Sequence, residues 1–175
     1  MIIDFFEILL NAGFWAATIR IACPLIFATL GELICERAGV LNLGIEGIMT
    51  AGAMVGWTAV YLGVDLTTGI LYAALVGALF GLLHANFTVH LGASQHVTGI
   101  GITLLASSLS YFAFRLILPS STTPPKIEAF QPLQIPLLSD LPFFGPALFQ
   151  HTTFTYLAFL SVPLTMWLIN KSPFG

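Results

Sequence analysis

The chain has 175 residues, of which five are Lys or Arg and eight are Asp or Glu. Charged residues make up 7% and hydrophobic residues 57%, with a mean hydropathy of +0.95. A soluble domain carries roughly 25% charge. This chain could not cover a water-facing surface, and five unclustered basic residues exclude a nucleic-acid footprint. The segments 66–114 and 141–170 contain no Asp, Glu, Lys or Arg at all. Such runs are ordinary in a bilayer, where a spanning helix needs about 20 apolar residues. The composition therefore predicts an all-α, polytopic transmembrane helical bundle, read as a single transmembrane domain over 1–175.

In chain order, the N-terminus carries Asp4 and Glu7 and lacks the basic start of a cleavable signal peptide. The first apolar segment is thus expected to stay in the mature protein. It gives a first span over 12–34, interrupted by Arg20 and Pro24. A dense polar patch follows, then a second span over 43–62 and a short turn at Gly63, Val64 and Asp65. A third span covers 67–90 and a fourth 97–118. The segment 119–150 holds seven of the ten prolines. Proline at that density forbids a regular spanning helix, so an extramembrane loop is expected. A fifth span covers 152–170. Arg37 and Lys171 fall on one expected face and Lys126 on the other, which leans weakly toward a cytoplasmic C-terminus and an external loop.

Small residues recur at helical intervals: Gly52 and Gly56, then Ala73, Gly77 and Gly81. They align on one face and let a neighbouring backbone come close. Cys23 and Cys35 lack a CxxC pattern and read as small apolar residues. His84, His90 and His96 recur at intervals of six, which do not place them on one helical face, and lack nearby carboxylates, so no metal site is expected. Trp15, Trp57, Tyr61, Tyr111 and Trp167 lie near span ends and read as interfacial anchors.

Ionisable residues at membrane depth are costly and need a reason. Glu32, Glu36, Arg37 and Glu46 crowd between the first two spans. Glu32 and Glu36 share a helical face. Gly39, Gly44 and Gly47 weaken the helix, and Asn42 is a good N-cap for a new one. One helix should end near Gly39 and another begin near Asn42, giving a break or tight turn around 39–46. Broken helices expose backbone groups that transporters use as polar sites. The same residues would equally serve a tight cytoplasmic turn that only holds architecture. Arg20 reads as a snorkelling residue or an inward contact; Asn86 and Thr103 could touch a solute or bond neighbouring helices.

The run Gly31-Glu32-Leu33-Ile34-Cys35-Glu36-Arg37-Ala38-Gly39-Val40-Leu41-Asn42-Leu43-Gly44-Ile45-Glu46-Gly47-Ile48-Met49, with Ala51-Gly52-Ala53 after it, resembles the permease subunits of nucleoside and simple-sugar ABC importers. That permease group also serves ribose and branched-chain amino acids. Gln95-His96-Val97-Thr98-Gly99-Ile100 resembles the family too, at a cytoplasmic turn that opens the next span. The resemblance implies a substrate pathway between two permease subunits, an ATP-binding cassette subunit that hydrolyses ATP, and an external substrate-binding lipoprotein. It implies no cofactor in this chain, which lacks a Walker A motif and is expected not to be an enzyme. It places the N-terminus outside the plasma (inner) membrane and the C-terminus in the cytoplasm. Members of the family are longer, with a coupling segment after the fifth span. This chain reaches Lys171-Ser172-Pro173-Phe174-Gly175 at that point, so it is expected to be the N-terminal half and incomplete without the other. The alternative expectation is a truncated structural bundle that does not transport.

Overall fold

The computed structural model describes residues 7, 9–118, 123 and 125–171. The helices are α1 (Ala12–Arg37), α2 (Ile45–Tyr61), α3 (Leu66–Ala85), α4 (Gln95–Ile117), α5 (Phe144–Leu148) and α6 (Thr153–Lys171). A π-helical turn, Asn86–His90, extends α3. Two short strands, β1 (Leu133–Gln134) and β2 (Gln150–His151), pair antiparallel. Among the described residues, four helices are long and apolar enough to cross a membrane: α1, α3 with its π turn, α4 and α6. The second expected span is α2, whose 17 residues rise about 25 Å. The chain is thus an all-α membrane bundle, with four such helices and a shorter fifth where five spans were expected.

The chain divides into two compact units, Met1–Gly31 with Phe130–Gly175, and Glu32–Ala129. In the second unit α2 packs most extensively on α3 and then on α4. Glycine makes this possible, because the backbones touch. A Cβ on Gly56 would lie 3.2 Å from the Gly69 carbonyl oxygen, and one on Gly52 would lie 3.3 Å from that of Ala73. On the α4 side a Cβ on Gly47 would run into the Thr103 backbone. The small-residue face of the sequence is therefore a packing face for 52, 56 and 73. Gly81 has open space around its Cβ position.

The second unit turns large apolar side chains outward. Leu71, Leu75, Leu79 and Leu82 form an exposed stripe along α3, a surface suited to lipid. The interior holds small and apolar residues such as Ala51, Ile102, Ala106 and Phe114 and, among them, the polar His84, Thr88 and Ser110. Thr88 Oγ1 donates to the His84 carbonyl at 2.8 Å and Ser110 Oγ to that of Ala106 at 2.6 Å. Buried hydroxyls are paired in this way within their own helices.

In the first unit, the proline-rich segment is more ordered than a bare loop. Leu133 pairs with His151 and Gln134 with Gln150. His151 is buried, with Nε2 2.8 Å from the Ala147 carbonyl. Tyr156 of α6 bridges the strands: its hydroxyl accepts from His151 N–H at 3.3 Å and donates to the Leu133 carbonyl at 3.4 Å. Phe130 meets Phe154 edge-on at 5.0 Å. Buried Cys23 sits 3.5 Å from the Phe154 carbonyl, as a small residue in a packed spot; Cys35 is only half-buried.

The link between α2 and α3 is a tight device. Gly63 adopts φ +95°, and the Val64 and Gly63 N–H groups return to the Ala59 and Val60 carbonyls, both at 3.0 Å. This is a Schellman stop. Asp65 then caps α3, accepting from Thr68 N–H at 3.0 Å and from Thr68 Oγ1 at 2.7 Å. Those bonds favour the carboxylate, led by the Thr68 hydroxyl, and hold the Asp65 pKa below its ordinary 3.8.

Two outcomes follow from these contacts. Because the folded pKa of Asp65 is depressed, the cap contributes its full stabilisation above the ordinary carboxylate pKa. That contribution fades as pH falls through the depressed value. Asp65→Ala should lower the Tm in detergent at neutral pH and flatten the acid limb of the Tm–pH curve, whereas Asp65→Ser should keep most of the Tm. Gly47→Ala should cost about 1–3 kcal/mol through overpacking, while Gly81→Ala should be tolerated. Thermal unfolding of the two purified variants distinguishes them.

Candidate functional site

The polar patch of the sequence folds into a break between α1 and α2, wholly inside the second unit. α1 runs on through Glu32 and Glu36 and ends at Arg37. Gly39 takes φ +84°, a left-handed conformation that favours glycine. Val40 N–H returns to the Cys35 carbonyl at 3.0 Å and Gly39 N–H to that of Glu36 at 2.9 Å. This is the same stop as at Gly63, and it satisfies two of the orphan carbonyls of α1.

Side chains hold the next few peptides. Glu32 Oε1 accepts from Asn42 N–H at 2.8 Å. Asn42 Oδ1 accepts from Gly44 N–H at 3.0 Å, an Asx turn. The Asn42 side chain was expected to cap the new helix. The structure instead puts Gly44 at the cap position, without a side-chain cap bond, and starts α2 at Ile45. From α4, Gln95 Oε1 accepts from Leu41 N–H at 2.8 Å, and Gln95 Nε2 donates to the Gly39 carbonyl at 3.2 Å. Thr103 Oγ1 donates to the Leu43 carbonyl at 3.2 Å. A Cβ on Gly99 would lie 2.8 Å from Leu43 Cβ, so α4 also touches the break backbone directly.

The arrangement brings together Glu32, Asn42 and Thr103 from the sequence expectations. The side chains of Glu36 and Arg37 are exposed at the end of α1, and Glu36 takes part in the break through its backbone carbonyl. Glu46 is exposed in the first turn of α2. Asn86 is exposed at the start of the π turn, and Arg20 is exposed on α1 within the first unit. Gln95 was missed as a site residue, although its segment had been singled out. Two polar atoms in the second unit are buried without a hydrogen-bond partner among the described residues: Glu32 Oε2 and His84 Nε2.

The exposed residues of α2 have a character of their own. Glu46, Thr50 and Ala53 are exposed on one side at helical spacing, with Tyr61 at the far end. Where α3 shows leucines, α2 shows a carboxylate, a hydroxyl and a methyl. A stripe of that chemistry suits contact with protein or a polar solute better than contact with lipid.

Comparison with known proteins identifies the kind of chain this is. The family model described as branched-chain amino acid transport system / permease component matches residues 15–175. The guanosine ABC transporter permease protein NupQ of Bacillus subtilis is 34% identical over 166 residues, 91% of this chain and 52% of NupQ. The nucleoside ABC transporter permease protein NupC of Lactococcus lactis is 35% identical over 164 residues, 87% of this chain and 50% of NupC. TsgC13 of Haloferax volcanii, provisionally named a glucose ABC transporter permease protein, is 34% identical over 168 residues, 94% of this chain and 50% of TsgC13. The chain thus spans about half the length of these relatives. No solved structure matches it. With apolar helices long enough to cross a membrane and a family match over nearly all its length, the chain is a multi-pass membrane protein of the branched-chain amino acid transport system / permease component family.

Proposed function

We propose that this chain is a transmembrane permease component of an ABC importer that takes up nucleosides or related small solutes. The observation that carries the reading is the similarity to NupQ and NupC over most of this chain. The match to TsgC13 at the same 34% identity keeps simple sugars within the class of solutes. Because the match covers half of each relative, the activity is proposed for the chain together with whatever supplies the other half of that length. A second permease subunit, an ATP-binding cassette subunit and an external substrate-binding lipoprotein complete the importer. The permease moves the solute, and the partner cassette hydrolyses ATP.

In this reading α2 spans the membrane with the four longer helices. The N-terminus and the proline-rich segment lie outside, and the break and Lys171 lie on the cytoplasmic side. The break borders the solute path. Glu46 and Asn42 stand nearest to it, with Glu32, Glu36 and Arg37 framing the end of α1; Arg20, Asn86 and Thr103 are secondary contacts. The exposed polar stripe on α2 supports this placement. Its Glu46 carboxylate can accept hydrogen bonds from the hydroxyls of a ribose or hexose.

In a reconstituted complex with the cassette and the partner permease, Glu46→Gln should reduce guanosine uptake at least tenfold with protein yield unchanged. Full uptake by this variant would return Glu46 to a structural role. Failure of the cassette subunit to co-purify with the co-expressed permease halves would defeat the importer reading and leave a structural bundle.

A further inference from the structure

One side chain links the break to a helix far away in sequence. Gln95 opens α4 and engages the break with both ends of its amide, accepting from Leu41 N–H and donating to the Gly39 carbonyl. The donor and acceptor it meets flank Val40, as the partner groups of a parallel β-bridge would. The amide thereby completes a single rung of ladder where no strand exists. Gly99 and Thr103 follow at one-turn intervals on the same face of α4. Gly99 abuts the Leu43 and Gly44 backbone, and Thr103 donates to the Leu43 carbonyl. α4 therefore grips residues 39–44 along two turns. From the other side, α1 holds the Asn42 N–H through Glu32. The conformation of this short segment is set by where α1 ends and where α4 begins, and α2 starts immediately after it.

We propose that Gln95 is a positioning residue for transport: through its clasp on Gly39 and Leu41, α4 sets the direction of the first turn of α2 and hence the placement of Glu46 on the solute path. The proposal rests on the importer reading above. A half-buried amide that donates and accepts at once fixes both distance and orientation, whereas an apolar contact fixes neither. A shift of the α4 start is then passed to the break without slack.

Two variants test it in the complete complex. Gln95→Leu removes both bonds. Gln95→Glu keeps an oxygen for Leu41 N–H and loses the donor to Gly39, so it serves if the leucine variant fails to fold. Hydrogen exchange in peptides covering 39–44 should speed up at least tenfold in Gln95→Leu and less in Gln95→Glu. Exchange at Gly63 and Val64, held by a separate stop, should not change. Guanosine moved per ATP hydrolysed should fall at least fivefold in Gln95→Leu, with Vmax reduced and KM little altered; loss of folded protein alone would leave that ratio unchanged. Unaltered exchange over 39–44 would show that the clasp does not hold the break. Faster exchange with a wild-type transport ratio would show that the break positions nothing on the path. Absence of guanosine uptake by the wild-type complex would instead remove the importer reading for that solute, and with it the path this positioning serves.

Discussion

A backbone N–H or C=O removed from water must find a partner, and in an apolar bundle that partner has to be protein. Residues 38–44 leave one helix before the next begins, and the arrangement around them answers this requirement. The left-handed Gly39 turns the last peptides of α1 back on its own carbonyls. Beyond that point Glu32, Asn42, Gln95 and Thr103 supply partners for the Leu41, Asn42 and Gly44 N–H groups and the Gly39 and Leu43 carbonyls. The bonds from Gln95 and Thr103 bring α4 close to the break and to the α2 that follows it. That closeness in turn demands glycine at 47 and 99, where any Cβ would meet backbone. The packing of the second unit thus follows from the pairing of a few peptide groups.

The same constraint explains how polarity is distributed. α3 turns leucines outward and keeps His84 and Thr88 within, and α4 buries Ser110 beside Ala106 and Phe114. Hydroxyls inside bond back to their own helices, so they add polarity to the core without leaving orphans. Glu32 Oε2 and His84 Nε2 depart from this pattern. Glu32 is held through its other oxygen by Asn42 N–H, and His84 is buried at the end of α3.

Much of the architecture was legible in the chain, because a membrane helix is recognised by what it excludes. Charge-free runs marked the segments of α3, α4 and α6, a mainly apolar run that of α1, and Gly39 with its neighbours the break. The clasp was not legible. Leu41 and Gln95 lie 54 positions apart, and no periodicity relates a side-chain amide on one helix to a peptide in a turn elsewhere. Asn42 closes an Asx turn where a helix cap was expected, since the same side chain can do either, and the Glu32 bond at its own N–H favours the turn. Prolines between 119 and 150 announced irregular chain. They could not reveal the small β pairing, which depends on Tyr156 reaching back from α6. The π turn at Asn86–His90 left no mark in composition either.

The shortness of α2 has a geometric consequence. Its C-terminal end is tied to the start of α3 by the few residues from Leu62 to Asp65, so the two helices begin level there. α3 with its π turn runs 25 residues and α2 only 17. The difference of eight residues (25 − 17) falls entirely at the other end, about 12 Å of rise. The break therefore starts well below the rim that α3 reaches. Continuing the register of Gly56 on Gly69, Gly52 on Ala73 and Ile48 on Gly77, the break peptides lie level with the last turns of α3, at a depth where that helix is still intact.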